Sequence, residues 1–146
     1  MPYEFKTIRR VEFSETDMAG IMHFSNYFRF MESAEHAFFR SLGLSIFRSG
    51  DPPVSWPRVH AACDYKMPLH FEDEVEIHLL VAEKKAKALT YAFKFRKLNA
   101  APPVLVARGA LTVVCVSHHP DGRMTACPMP RLFAEKIQTA PAELLD

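Results

Sequence analysis

No uninterrupted apolar run in this chain approaches the roughly 20 residues that a membrane-crossing helix needs. The opening Met1-Pro2-Tyr3-Glu4-Phe5-Lys6 also lacks the apolar stretch of a signal peptide, so a cytoplasmic protein with no membrane partner is expected. Cysteine is scarce. Cys63, Cys115 and Cys127 are odd in number and widely scattered, which fits reduced thiols better than a disulfide frame. None belongs to a C-x-x-C pair, so structural zinc is not expected, and no cofactor is called for. Neither sign of charge is in excess. Eighteen Lys and Arg against 17 Asp and Glu leave a formal charge of +1, which gives no field for holding nucleic acid. Any anionic partner must be held by a local cluster.

What is present describes an ordinary globular chain. Its 146 residues, 49% apolar and 24% charged, suffice for one domain over 1–146 with a real core. Residues 3–13 alternate, with Tyr3, Phe5, Val11 and Phe13 against Glu4, Lys6, Arg10 and Glu12, which reads as a strand with one wet face. From Asn26 the period changes. Tyr27, Phe30, Met31, Ala34, Phe38 and Leu42 recur at three- and four-residue steps, and Arg29, Glu32, Glu35, His36 and Arg40 take the other side. Ser25 is the candidate N-cap and Gly43 the C′ residue of a helix of about 17 residues.

A loop with Gly50, Pro52, Pro53 and Pro57 follows, and then strands dominate. They run from Arg58 to Met67, through Val75–Val81 and Leu89–Phe95, and from Val104 to Val116. Their breaks are Pro68, the Lys84–Lys87 turn, residues 99–103 and Asp121-Gly122. Glu72, Asp73, Glu74 and Glu76 read as an acidic strand edge. A short helix around Pro130–Ile137 precedes an Ala/Pro tail. This order predicts an α+β fold: an antiparallel sheet of about five strands curled around one long central helix, with exposed edges that invite dimerisation.

The chemistry concentrates in residues 15–27, where a strand gives way to Asp17, a turn at Gly20 and the helix. Backbone N–H groups at a helix N-terminus can polarise a substrate oxygen, and a carboxylate beside them can act as base or nucleophile. The same Asp could also simply cap its turn.

Element order and this segment together resemble the hot-dog fold, and within it the 4-hydroxybenzoyl-CoA thioesterase-like acyl-CoA thioesterases. That family reads D-x-x-G, apolar residues, an aromatic and then N-Y, which Asp17, Gly20, Ile21, Met22, Phe24, Asn26 and Tyr27 supply in register. The resemblance implies a homodimer or homotetramer that hydrolyses an acyl- or aroyl-CoA at sites between subunits. Asp17 would attack the thioester carbonyl or activate a water. The backbone N–H of Phe24 would hold the developing oxyanion, and Gly20 would permit the tight turn. Many relatives carry a His where Phe24 stands; the nearest imidazole here is His23. Asn26 and Tyr27 stabilise the first helical turn and the core on the bland reading, and Asn26 could orient Asp17 on the functional one. His23, Asn26 and Tyr27 are therefore carried as substrate-side candidates.

Relatives bind the nucleotide near the hairpin that holds Lys84, Lys85 and Lys87, which makes these the candidates for the CoA phosphates. Some hot-dog thioesterases place a catalytic Glu on the central helix, but Glu32 and Glu35 fall on the polar side of the helical wheel. His118-His119 looks like a metal pair, yet neighbours on a strand point to opposite faces. The loop 52–57 and Trp56 are expected beside the acyl group. The competing reading is a module that binds or senses acyl-CoA without cleaving it.

Overall fold

The computed structural model describes residues 1–47 and 53–146. Gly50 and Pro52 of the expected loop lie outside the described residues. Strand β1 (Glu4–Arg10) leads through a 3-10 turn (Phe13–Glu15) to helix α1 (Asn26–Ser41). Strands β2 (Val54–Ser55), β3 (Arg58–Tyr65), β4 (Glu74–Lys84), β5 (Ala88–Lys97), β6 (Val104–Val114), β7 (Val116–His118) and β8 (Met124–Ala126) follow. Helices α2 (Arg131–Lys136) and α3 (Ala142–Leu145) close the chain.

Five strands form one antiparallel sheet in the order β1-β4-β5-β6-β3, and β2, β7 and β8 form a small second sheet. Helix α1 connects the two edge strands of the large sheet and lies in its concavity. Val75, Ile77, Leu79 and Val81 of β4 alternate inward with Leu89, Tyr91, Phe93 and Phe95 of β5, against Tyr27, Phe30, Met31, Ala34 and Phe38 of α1. The five-strand sheet around one long helix is the expected architecture. Gly43 takes φ +76 just past the helix, the left-handed C′ conformation that the sequence predicted.

Several local expectations are corrected. β1 stops at Arg10, so Val11 is buried while Phe13 turns outward and is 77% exposed. The strand expected over Val104–Val116 breaks at Cys115, where the chain leaves the large sheet for the small one. The acidic stretch at Glu74 is no edge, because β1 pairs along β4 from Arg10↔Glu74 to Glu4↔Leu80. Asp73 is buried there, accepting from His70 N (2.7 Å) and Asn99 Nδ2 (2.9 Å), with Lys97 at 3.5 Å.

Glu35 is the largest departure. Its side chain is fully buried, and Arg58 of β3 reaches it at 2.5 Å while also bonding Glu32 at 3.2 Å. At 100° per residue, Glu35 stands close beside the Tyr27–Met31–Ala34 stripe, and β3 folds over that flank. Its expected place on the polar side is thus corrected, because the width of the covered face depends on the sheet.

Candidate active site

The turn that carries Asp17 is fixed from both sides. Glu12 N–H donates to Glu15 Oε1 at 2.8 Å, closing the 3-10 turn upon itself. Beyond it, Asp17 N–H donates to Ile21 O (3.0 Å) and Gly20 N–H to Asp17 O (2.9 Å), a tight reversal that Gly20 completes at φ +79. Met22 N–H then donates to Leu69 O at 2.7 Å, docking the segment on the chain between β3 and β4. The carbonyl of Glu15 receives both His23 N–H (2.8 Å) and Asn26 Nδ2 (2.8 Å). Asn26 thus ties the start of α1 to the turn two residues before Asp17 and makes no bond to the Asp17 carboxylate.

Asp17 is half-buried, and its Oδ1 accepts from Ala19 N–H at 2.8 Å. This is the turn-capping bond of the bland reading. It uses one carboxylate oxygen, and Asp17 still lines a cavity of about 460 Å³. Ile21, Met22, Phe24, Tyr27, Tyr65, Met67 and Pro68 form the other walls, and Lys66 is the cation among them. Phe24 is 61% exposed and stacks on His23 with ring centroids 4.5 Å apart. Its carbonyl accepts from the Tyr65 hydroxyl at 3.0 Å, while its N–H meets no acceptor among the described residues. Tyr27 is buried, edge-on to Tyr65 (4.9 Å) and Phe95 (5.3 Å). Burial, with nearby Cys63, pushes the Tyr27 and Tyr65 phenols up to about 12, so both remain protonated donors at neutral pH.

Ser25 occupies the N-cap position but does not cap. Its backbone is already helical (φ −68, ψ −24), whereas a capping side chain needs an extended one. Its hydroxyl goes instead to His23 Nδ1 at 2.8 Å, and its N–H reaches the same nitrogen at 3.3 Å. His23 is therefore occupied with the chain entering the helix and is not among the residues lining the cavity.

The structure brings together Asp17, Phe24 and Tyr27, with Gly20 in the turn and Asn26 behind it. Within one chain it does not bring the three lysines to them. They lie at the far end of β4, eleven residues of strand away. Lys84 Nζ donates to Ala134 O (2.7 Å) and Ile137 O (2.8 Å), closing the end of α2, and Lys85 pairs with Glu83 at 3.1 Å. Lys87 is exposed, and its ammonium group has no partner among the described residues. Trp56 is not among the residues lining that cavity either; it is buried between Phe39 and Phe133. His118 and His119 diverge, bonding Ser55 Oγ and Thr125 Oγ1 respectively.

Sequence reading missed Tyr65 and Lys66. The signal available was their place at the end of a strand just before Pro68, but nothing local shows which segment faces that strand end.

Residues 11–140 match the family described as the thioesterase-like superfamily. A putative esterase from Aquifex aeolicus is 39% identical over 64% of this chain and 71% of its own length. A 1,4-dihydroxy-2-naphthoyl-CoA hydrolase from Parasynechococcus marenigrum is 34% identical over 51% of this chain, a match spanning about half (54%) of its length. Among solved structures, the gentisyl-coenzyme A thioesterase BH1999 is 30% identical with a TM-score of 0.76, covering 89% of this chain and 99% of that one. A 4-hydroxybenzoyl-CoA thioesterase superposes with a TM-score of 0.82 at 20% identity, over 93% and 99% of the two chains, a likeness of fold.

Proposed function

This chain belongs to the thioesterase-like superfamily, and from that membership we propose that it hydrolyses an aroyl- or acyl-CoA thioester, with Asp17 and the Phe24 N–H as its working parts. The observation that carries the reading is the shared cavity: a carboxylate with one uncommitted oxygen and the entry to a helix line the same space. Asp17 either attacks the thioester carbonyl or takes the proton of an attacking water. The carbonyl oxygen becomes an oxyanion beside the Phe24 N–H, and collapse of that adduct expels the CoA thiolate. On the nucleophilic route it leaves an acyl–Asp17 anhydride, which a water then hydrolyses to the free acid and the Asp17 carboxylate. A preorganised donor of this kind is worth about 3–4 kcal/mol in the transition state.

The aromatic walls Phe24, Tyr27 and Tyr65 favour a planar acyl group, in keeping with the naphthoyl and gentisyl substrates in the names of two relatives. A homodimer or homotetramer belongs to the same proposal. β3 hydrogen-bonds on its β6 side, and Val59, Tyr65 and Met67 stand 61%, 46% and 50% exposed along and beyond its open edge. A second copy on that edge would cover the open cavity. It is also the route by which the partner's β4–β5 hairpin, carrying Lys87, could approach the nucleotide.

A thiol-release assay across aromatic, short and long acyl-CoAs tests the reading, with Asp17→Asn as the paired variant. The expected result is turnover on an aromatic thioester and a fall of about 10³ in the variant at unchanged fold. Binding without release across the panel would make the protein an acyl-CoA sensor. Near-native activity in the variant would remove Asp17 from the mechanism.

A further inference from the structure

The three cysteines are scattered in sequence, but folding brings two of them together. Cys115 sits at the break between β6 and β7, and Cys127 follows β8. Val116 pairs with Ala126 in the small sheet, so Cys115 and Cys127 are the next opposed positions on the two strands. Cys127 N–H donates to Cys115 O at 2.9 Å, continuing the ladder by one bond. The sulfur atoms are 3.7 Å apart. Directly opposed residues of an antiparallel pair have Cα atoms about 4.5–5.5 Å apart, inside the window of about 4.4–6.8 Å that a disulfide accepts. Cys115 is held from its other side as well, its N–H donating to Lys87 O at 2.7 Å.

The two thiols differ in access. Cys115 is fully buried, whereas Cys127 is half-buried. Burial, together with neighbouring Cys127, pushes the Cys115 thiol up to about 12. A reagent from solution therefore meets Cys127 first. Cys63 is remote in the fold, on β3 of the other sheet, and has no cysteine within bonding reach.

We infer that Cys115 and Cys127 form a redox-active pair built to close an intramolecular disulfide, with a small-molecule disulfide as the oxidant. The Cys127 thiolate attacks one sulfur of the oxidant, forming a mixed disulfide and expelling one small thiolate. Cys115 then gives its proton to that thiolate or to water and attacks the Cys127 sulfur, which expels the second small thiol. The protein loses two hydrogens and two electrons, and the oxidant is reduced to two thiols. The sulfurs must close by about 1.6 Å, a movement within reach of side-chain rotation. The product would lock the β7–β8 hairpin, and with it the approach to α2, whose Phe133 packs on Phe39 and Trp56.

The test is incubation of the wild-type protein with oxidised glutathione, followed by thiol titration in denaturant and peptide mapping without reductant. Free thiols should fall from three to one. Trypsin cuts after Arg123, so the pair falls in separate peptides, 109–123 and 124–131, which should appear joined. Cys63→Ser should leave that linkage intact, and Cys115→Ser should stop at glutathione held on Cys127. The oxidised wild type should melt about 5 °C higher than the reduced protein, since the bond closes a short loop with little rearrangement. Three thiols remaining, a persistent glutathione adduct on wild-type Cys127, a link through Cys63 or a lower melting temperature on oxidation would each overturn the inference.

Discussion

The Tyr65 hydroxyl donates to the carbonyl oxygen of Phe24 across 3.0 Å, joining the end of β3 to the entry of α1 between residues 41 apart in sequence. The proposed oxyanion donor is the N–H of that same residue. Its orientation thus depends on a side chain from the opposite edge of the sheet.

Tyr65→Phe keeps the ring against Tyr27 and deletes only the hydroxyl. A hydrogen bond of this class contributes about 1 kcal/mol, so kcat for thioester hydrolysis should fall about fivefold with KM nearly unchanged. Steady-state kinetics make the check. A change confined to KM would make Tyr65 a substrate contact instead.

The buried Glu35–Arg58 pair should be costly to break and cheap to replace. Arg58→Leu leaves the Glu35 carboxylate buried without its cation, with an expected loss of about 3 kcal/mol, the lower end for such pairs because the Arg58 side chain is 25% exposed. Urea unfolding of Arg58→Leu and of the double variant Glu35→Leu/Arg58→Leu measures this. The double variant should recover most of the loss. If both unfold at the same midpoint, burial of the unpaired charge is not the cause.

Acid should loosen the junction of β1 and β4. Burial alone would raise the Asp73 carboxyl, but hydrogen bonds from Asn99 and His70 N–H, with Lys97 nearby, outweigh it and hold the group below its ordinary value. A carboxyl whose folded value lies below its unfolded one adds stability that is complete above the unfolded value, about pH 4, and is lost as pH drops through the folded value. Melting temperatures of wild type and Asp73→Asn from about pH 6 to about pH 3 test this. The wild type should lose its advantage over the variant across the acid end of that range; parallel curves would remove Asp73 from the acid response.

Gly109 of β6 lies directly against the Met31 side chain of α1. A Cβ there would collide with the Met31 side chain, which is fully buried and hemmed by the core. Gly109→Val should cost about 1–3 kcal/mol through overpacking, read as a lowered urea midpoint. Met31→Ala in the Gly109→Val background should return part of it. Additive losses would mean that the two side chains do not compete for the same space.

Local sequence alone determined a good deal. Alternation in β4 and β5, the three- and four-residue steps of α1, and Gly20 and Gly43 at positive φ all follow from preferences acting within a few residues. The candidate site was proposed from a contiguous stretch, because Asp17, Gly20, Phe24, Asn26 and Tyr27 fall in one turn and helix start, and their roles came from the family that this stretch resembles. The tertiary structure decided what depends on distant partners. Ser25 has the right chemistry for a cap, yet His23 and the helical entry redirect it. Glu35 sits at the margin of an amphipathic face, and only β3, bringing Arg58 from 23 residues away, determines that the margin is buried. Tyr65 and Lys66 became cavity walls, and Lys84 a helix-closing donor, when strands far apart in sequence were set side by side. Periodicity fixes the direction in which a side chain points along its own element. What it meets there is a matter of long-range packing, which no single stretch of chain encodes.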